Sequence, residues 1–274
     1  MRQTGATKIA YLAALTALTA GMAGCLDSQT SLSVRPDGSG TLTERVRVTA
    51  LASAYASSAL DDRAAATNYL EHCRERASRL GAGVRVASVK DIGARDWIGF
   101  EALYMVPRIA DLQMPQQPDT YLLGGLAPSN TPPGEPLTFG FARGDPSVVT
   151  VNVPRPIAAS TARLRPAMAA ASSRRLSVEY LSAVRKLFEG FRVRMSVQVD
   201  GRITRVENGQ ADMLQPNSVT LFDFDGTKLL ADNDHLRRVV SLAPIEDVDS
   251  AKVLLDGMPG ATFLNEERLT IRFR

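Results

Sequence analysis

The chain has 274 residues, of which 45% are hydrophobic and 6% aromatic, and this composition excludes an intrinsically disordered protein. The formal net charge is +3, but Arg2 and Lys8 fall in a predicted signal segment, so the remaining charges are nearly balanced. Nucleic-acid-binding proteins carry a strong basic excess, and we therefore expect no nucleic-acid partner. The sequence has two cysteines, two histidines and no metal-ligand spacing, and we expect no cofactor and no metal.

Residues 1–24 predict a lipoprotein signal peptide. Two basic residues are followed by an apolar run over 9–20, which is too short to cross a bilayer core that needs about 20 residues. The run leads into Met22-Ala23-Gly24-Cys25, which resembles a bacterial lipobox. This resemblance implies that Cys25 is acylated and becomes the first residue of a mature chain of about 250 residues. The alternative is a secreted protein with a chance cysteine near its cleavage site.

Lipidation at Cys25 would make the membrane a partner of the protein and place it in the bacterial cell envelope. The next residue is Leu26, and Asp27 comes one position later. Because aspartate directly after the cysteine is the enteric signal for the inner membrane, its absence there favours the outer membrane, facing the periplasm. With Cys25 modified, Cys73 has no partner for an intrachain disulfide.

The region 25–153 is predicted to form an N-terminal α+β module. It opens with a hairpin over 31–34 and 41–49, in which apolar residues alternate around an Asp-Gly turn. An amphipathic helix over 62–80 follows and ends at Gly81. Its apolar stripe contains Cys73, so we expect a buried thiol, with a reactive or intermolecular cysteine as the alternative. The adjacent His72 lies off this stripe and is expected to be solvated.

The module continues with strands over 84–89 and 97–105, a short helical turn over 108–112 and a Pro/Gly-rich loop over 114–136. A second hairpin over 137–142 and 148–153 turns at Arg143-Gly144-Asp145-Pro146. The Arg-Gly-Asp triplet resembles an integrin-binding motif, and we interpret it as a turn.

Residues 154–175 predict a linker, and 176–274 predict a C-terminal α+β module that could be continuous with the first. Its elements are a helix over 177–189, a strand over 191–199, a tight turn at Asp200-Gly201 into a strand over 202–206, a strand over 218–224, a helix over 247–255 and a strand over 268–273. The predicted fold class is α+β, with antiparallel sheet or sheets and amphipathic helices packed on one face.

One stretch suggests catalysis. The run from Phe222 to Thr227 resembles the first motif of haloacid-dehalogenase-type phosphatases. The resemblance implies that Asp223 is the nucleophile and Asp225 the general acid/base, beside a magnesium ion. The motif opens the domain in that family, whereas little sequence follows it here, so the phosphatase is a second alternative and no catalytic residue is expected. A calcium loop around Asp223, Asp225, Asp232 and Asp234 would have its glycine too early, which favours a solvated acidic loop.

A local basic cluster is the other candidate surface, and it would contact anionic lipid headgroups or form a solvated face. Its members are Arg174, Arg175, Arg185, Lys186, Arg192 and Arg194.

The mature sequence resembles a group of uncharacterised bacterial envelope lipoproteins, and loosely the LppM-like lipoproteins. The resemblance rests on the hairpin at 34–40, the runs at 190–193 and 199–203, and the strand at 217–221. It implies an α+β domain and supplies no active site. We expect a lipid-anchored envelope protein with a non-enzymatic structural or interaction role. The alternative is a module that binds a lipid or another apolar ligand, so that a lipid or an envelope protein is a candidate partner.

Overall fold

The computed structural model describes residues 26–50, 68–115, 119, 121–122, 135–154, 179, 181–182, 185–186, 189–210, 213–235, 257–264 and 266–274. Strands contain 51% of these residues and helices 19%, and the strands form two sheets. The predicted helix-packed α+β arrangement is therefore wrong. The short, β-branched alternating segments build most of the fold, and the helices of the described part are too short to form a layer of their own.

The described strands follow one another in the order β1 (Leu26–Val34), β2 (Gly40–Thr49), β3 (Arg85–Asp91), β4 (Trp97–Val106), β5 (Gln113–Met114), β6 (Leu137–Ala142), β7 (Ser147–Asn152), β8 (Arg192–Val199), β9 (Ile203–Glu207), β10 (Leu214–Gln215), β11 (Ser218–Asp225), β12 (Ala261–Phe263) and β13 (Arg268–Phe273). Helix α1 is Tyr69–Leu80 and α2 is Gly226–Leu229, and a 3₁₀ turn covers Ile109–Asp111.

The larger sheet, sheet A, has the strand order β10-β11-β8-β1-β2-β4-β3, with β12 also paired to β11. The smaller sheet, sheet B, has the order β5-β6-β7-β13-β9. The expectation of purely antiparallel pairing is wrong at one place, because β1 and β8 run parallel in the middle of sheet A. Both sheets take strands from either side of the predicted linker, since β1 pairs with β8 and β7 pairs with β13.

The first predicted hairpin is confirmed. Strands β1 and β2 pair in an unbroken register from Leu26 opposite Val48 to Val34 opposite Gly40. The Asp37 carboxylate accepts hydrogen bonds from the backbone and hydroxyl of Ser39, which fixes the turn. The second hairpin, β6–β7, is confirmed as well, with its turn at 143–146.

Helix α1 connects β2 to β3. These two strands run parallel to each other, and the antiparallel β4 lies between them in sheet A. The predicted start of this helix at residue 62 lies outside the described residues. As described, α1 begins at Tyr69, and the side chain of Asn68 caps it by accepting a hydrogen bond from the Glu71 backbone. It ends at Gly81 as predicted, and the stripe of Cys73, Ala77 and Leu80 is buried against sheet A.

The turn at Asp200-Gly201 carries the chain from one sheet to the other. The sequence predicted a tight turn into a strand at this position, and the two strands that it joins belong to different sheets: β8 to sheet A, and β9, which pairs with β13, to sheet B. Gly201 has φ +143°, and a Cβ there would lie 2.2 Å from the Arg274 carbonyl oxygen. The position therefore requires glycine because both the backbone conformation and the close approach exclude a side chain.

Apolar side chains from both sheets and from α1 form one continuous core. Within the predicted helix at 177–189, the described residues 179, 181–182 and 185–186 are helical, and Leu181 is buried. Most of the predicted linker, from residue 155 on, and the predicted helix at 247–255 lie outside the described residues.

Candidate functional site

The inner face of sheet A carries a charged residue where the strand pattern calls for an apolar one. Along β2 the buried positions alternate, and Glu44 takes the place between Leu42 and Val46, with its side chain 4% exposed. The partner comes from α1, where Arg76 shares the buried face with Cys73 and Leu80. Its Nε and Nη2 each donate to one Glu44 carboxylate oxygen, at 2.6 Å. This is the two-pronged geometry that makes arginine–carboxylate pairs directional.

A second carboxylate joins the pair. Asp119 lies 3.6 Å from the Nε of Arg76, and its other oxygen accepts a hydrogen bond from the Tyr121 backbone at 2.9 Å. The His72 ring nitrogen Nε2 lies 2.6 Å from the Asp119 carboxylate. We call Glu44, Arg76, Asp119 and His72 the buried charge cluster.

The expectation that His72 is solvated is wrong. Its side chain is 11% exposed, and its ring stacks on Tyr121 with the centroids 3.9 Å apart. The edge of the ring also faces Phe100 at 5.9 Å. Residues 119 and 121–122 cover this side of α1, and no local pattern in α1 could have predicted that contact because it comes from a segment far along the chain.

The electrostatics of the cluster favour the charged forms of Arg76 and Asp119. Burial acts to lower the pKa of the Arg76 guanidinium, but the adjacent Glu44 and Asp119 carboxylates outweigh it and raise that pKa. Burial acts to raise the pKa of the Asp119 carboxyl, but the His72 hydrogen bond and the Arg76 charge hold it below its ordinary value. Each buried charge is therefore compensated by a neighbour, as a buried ion pair requires.

The Cys73 thiol is buried next to this cluster, which confirms the expectation of a buried cysteine. Burial raises its pKa to about 11, so it is protonated at neutral pH and is not an activated nucleophile. The Tyr104 hydroxyl is buried beside it. Although His72 and Cys73 are neighbours in sequence, the ring nitrogen of His72 is directed at Asp119 and not at the thiol.

A small cleft opens over the cluster on the inner face of sheet A. It encloses about 10 Å³, which is room for about one water molecule. A volume of this size accommodates neither an acyl chain nor an organic substrate. Its lining combines polar and apolar residues, which are Ser28, Thr30, Glu44, Arg76, Met114, Pro115, Val193, Arg194, Met195 and Phe222.

Asp223 and Asp225, the residues of the phosphatase alternative, lie at the end of β11. The Asp223 carboxylate accepts hydrogen bonds from Arg192 on the neighbouring strand, at 3.1 and 3.3 Å, and lies 3.9 Å from the Nε of Arg194. The Asp225 carboxylate caps α2 by accepting from the Lys228 backbone at 3.1 Å. Both carboxylates thus have structural partners.

The predicted basic cluster is divided between different surroundings. Arg192 and Arg194 lie on the outer face of sheet A, where both form ion pairs with the Asp223 carboxylate. Arg185 donates to the Leu230 carbonyl and to Asn233, and Lys186 is exposed. Arg174 and Arg175 lie outside the described residues. The described members therefore do not form one free cationic surface.

Cys25, the predicted lipidation site, also lies outside the described residues.

The Asp232 carboxylate accepts hydrogen bonds from the backbones of Asp234 and His235, which forms a local turn. Within the described part of the chain, no group of three His, Cys, Asp or Glu side chains could hold a metal ion. None of the helices seen there is both long enough and apolar enough to cross a membrane.

Sequence reasoning missed the buried charge cluster, although part of it left a signal. Glu44 interrupts the alternation of Leu42, Val46 and Val48, and Arg76 falls three residues after Cys73 on the apolar stripe of α1. A charged residue on each of two predicted buried faces indicates a pair. Asp119 follows a proline-rich run without periodicity, and no signal could have placed it.

No family model matches the sequence, and no curated protein matches it either. Among solved structures, the chain is similar to the NMR structure of the folded domain of the Mycobacterium tuberculosis LppM protein. The sequence identity is 9% and the TM-score 0.33, over 91% of this chain and 90% of that chain. This is a loose structural likeness to the LppM domain, and neither a family nor a function is inferred from it.

Proposed function

We propose that this protein is a lipid-anchored component of the bacterial cell envelope whose folded domain has a structural or interaction role and is not a catalyst. The observation that supports the non-catalytic role is the buried charge cluster. Its two carboxylates are matched by Arg76 and His72, and the neighbouring Cys73 thiol is held protonated. A site of this kind fastens α1 to sheet A, because its charged groups are engaged with one another.

The anchor is tested by metabolic labelling with an alkyne-tagged fatty acid in a bacterial host. We expect the label on the wild-type chain and its loss in Cys25→Ser, with release of the variant from the membrane fraction. Cys73→Ser is the matched control, because Cys73 is buried and should leave the label unchanged. Membrane retention of an unlabelled Cys25→Ser chain would overturn the anchor.

The non-catalytic role is tested on the phosphatase alternative. We expect no magnesium-dependent hydrolysis of a phosphate monoester by the wild-type protein. Asp223→Asn should destabilise the fold at least as much as Arg192→Gln, because Asp223 pairs with both Arg192 and Arg194. Activity that is present in the wild type and lost in Asp223→Asn alone would overturn the proposal.

The apolar-ligand alternative has its own test. Native mass spectrometry of the Cys25→Ser protein purified from the periplasm should give the mass of the bare chain, since the cleft over the cluster has room for about one water molecule. A stoichiometric lipid mass on this variant would favour the binding module over the role proposed here.

A further inference from the structure

We propose that the end of sheet A at which β1 begins rests on the phospholipid headgroups of the membrane, with the strands standing upright on the surface. This inference rests on the proposed anchor at Cys25 and adds to it the orientation of the domain and the residues that contact the lipid.

The predicted anchor residue directly precedes the first strand of the fold. Leu26 is the first residue of β1, and one peptide unit of about 3.8 Å joins its Cα to that of Cys25. From this first residue β1 is paired on one side, with Leu26 opposite Val48. From Asp27 onwards it is also paired on the other side, with Asp27 opposite Arg192. A lipid on Cys25 is therefore attached almost directly to a central strand.

The start of β1 is also fixed by its side chains. Leu26 is buried in the core. The Asp27 carboxylate is 6% exposed, forms an ion pair with Arg47 of β2 and accepts from Gln29 at 3.0 Å. Fraying these two residues to lengthen the tether would expose an apolar side chain and break a largely buried ion pair, which is unfavourable.

The strand register then shows what else lies at this end of the sheet. Trp97 begins β4 and pairs with Thr49 at the end of β2, and strands are about 4.8 Å apart, so its backbone lies about 10 Å from the start of β1. On the other side, Asp225 of β11 pairs with Arg192 at the start of β8, at a similar distance. The turn at 92–96 and helix α2 extend beyond these strand ends.

These elements have the chemistry of a membrane interface. Trp97 is half-buried, and the Arg47 guanidinium lies 5.2 Å from its ring centroid. An indole beside a cation suits the headgroup level, where tryptophan is enriched. Exposed charges of both signs lie at this end of the sheet: Arg95 and Asp96 in the turn next to Trp97, and Lys228 of α2, which is 68% exposed and follows β11 on the other side of β1. Mixed charge fits zwitterionic headgroups, in which phosphate and ammonium alternate.

The opposite end of the domain is held away from the membrane by the length of β1. Its nine residues span about 26 Å from Leu26 to Val34. At that far end the Asp200 backbone donates to the Val34 carbonyl, and the nearby Arg202 bonds the Arg274 backbone. Arg274 in turn bonds Asp145, which places the β6–β7 turn at the far end as well.

The test uses Trp97, which is the only tryptophan of the chain. The acylated full-length protein is reconstituted into phosphatidylethanolamine–phosphatidylglycerol vesicles in which some lipids carry a nitroxide quencher on the headgroup. We expect Trp97 to lose about half of its fluorescence, as for an indole at headgroup level. The control is Trp97→Phe/Arg143→Trp, which moves the single tryptophan to the exposed β6–β7 turn and should show no quenching.

The outcomes separate this inference from the proposed function. The fatty-acyl mass on Cys25 is measured on the same sample. An acylated protein with unquenched Trp97, or with equal quenching at both positions, would overturn the upright orientation and leave the anchor intact. A protein without the acyl group would overturn the anchor and the orientation together. Trp97→Ala should retain the acyl mass, so that a structural defect at Trp97 cannot imitate loss of the anchor.

Discussion

Replacing Arg76 by methionine tests whether the buried charge cluster fastens α1 to sheet A. Methionine keeps much of the volume and the flexible stem but removes the charge. The variant leaves Glu44 buried, with its side chain 4% exposed and both of its Arg76 hydrogen bonds lost. Removal of one partner from a buried ion pair costs about 3–5 kcal/mol. We expect a value near the upper end, because Asp119 loses the same cation.

The assay is urea unfolding in the Cys25→Ser background, followed by the fluorescence of Trp97. A loss of about 4 kcal/mol moves the midpoint by more than about 1 M, since the urea slope for small proteins is about 1–3 kcal/mol per M. The double variant Glu44→Leu/Arg76→Met removes both charges and should be clearly more stable than Arg76→Met alone. If Arg76→Met costs less than about 1 kcal/mol, or if the two single effects simply add, the reasoning about the pair is refuted.

Three further predictions concern neighbouring features. Because burial raises the Cys73 pKa to about 11, iodoacetamide should leave the native thiol unmodified at pH 8 and label it once urea unfolds the chain; rapid native labelling would contradict this. The fold lowers the pKa of the Asp119 carboxyl below 3.8, so the stability it supplies is present above pH 3.8 and is lost as the pH falls through the lowered value. Asp119→Asn should therefore lower the free energy of unfolding at pH 7 and reduce its dependence on pH in the acid range. An unchanged pH dependence in the acid range would contradict this prediction. Gly201→Ala should cost more than about 2 kcal/mol, because positive φ adds to a contact of 2.2 Å with the Arg274 carbonyl; a neutral effect in thermal unfolding would show that the turn can relax.

The local elements were predictable because their signals are local. Both hairpins follow from alternation and from turn residues, and α1 follows from its stripe and from Gly81. The fold class was not predictable in this way. The parallel pairing of β1 with β8 joins segments about 165 residues apart, as the contact between Ser31 and Ser196 illustrates, and no local pattern records it.

The same difference between local and long-range signals applies to the buried charge cluster. Glu44 and Arg76 each break an apolar pattern, and the sequence could have paired them. His72 was misjudged because its surroundings are supplied by Asp119 and Tyr121, from a segment with no periodic signal. The run at Asp223 has a structural explanation beside the phosphatase alternative, since a strand ending in Asp-x-Asp-Gly also arises where one aspartate pairs across the sheet and the next caps a helix.

A buried ion pair contributes more to the exact placement of packed elements than to stability, and this explains why the cluster lies between α1 and sheet A. The stripe of α1 that faces sheet A is short, with Cys73, Ala77 and Leu80 as its buried apolar members. Small apolar contacts alone would tolerate a shift of the helix along the strands, because dispersion has little directional preference. The two hydrogen bonds between Arg76 and Glu44 allow one position of the helix, because each guanidinium nitrogen must lie 2.6 Å from its carboxylate oxygen. Replacing both charges by apolar side chains therefore separates the two roles: the double variant can keep its unfolding midpoint while α1 loses hydrogen-exchange protection.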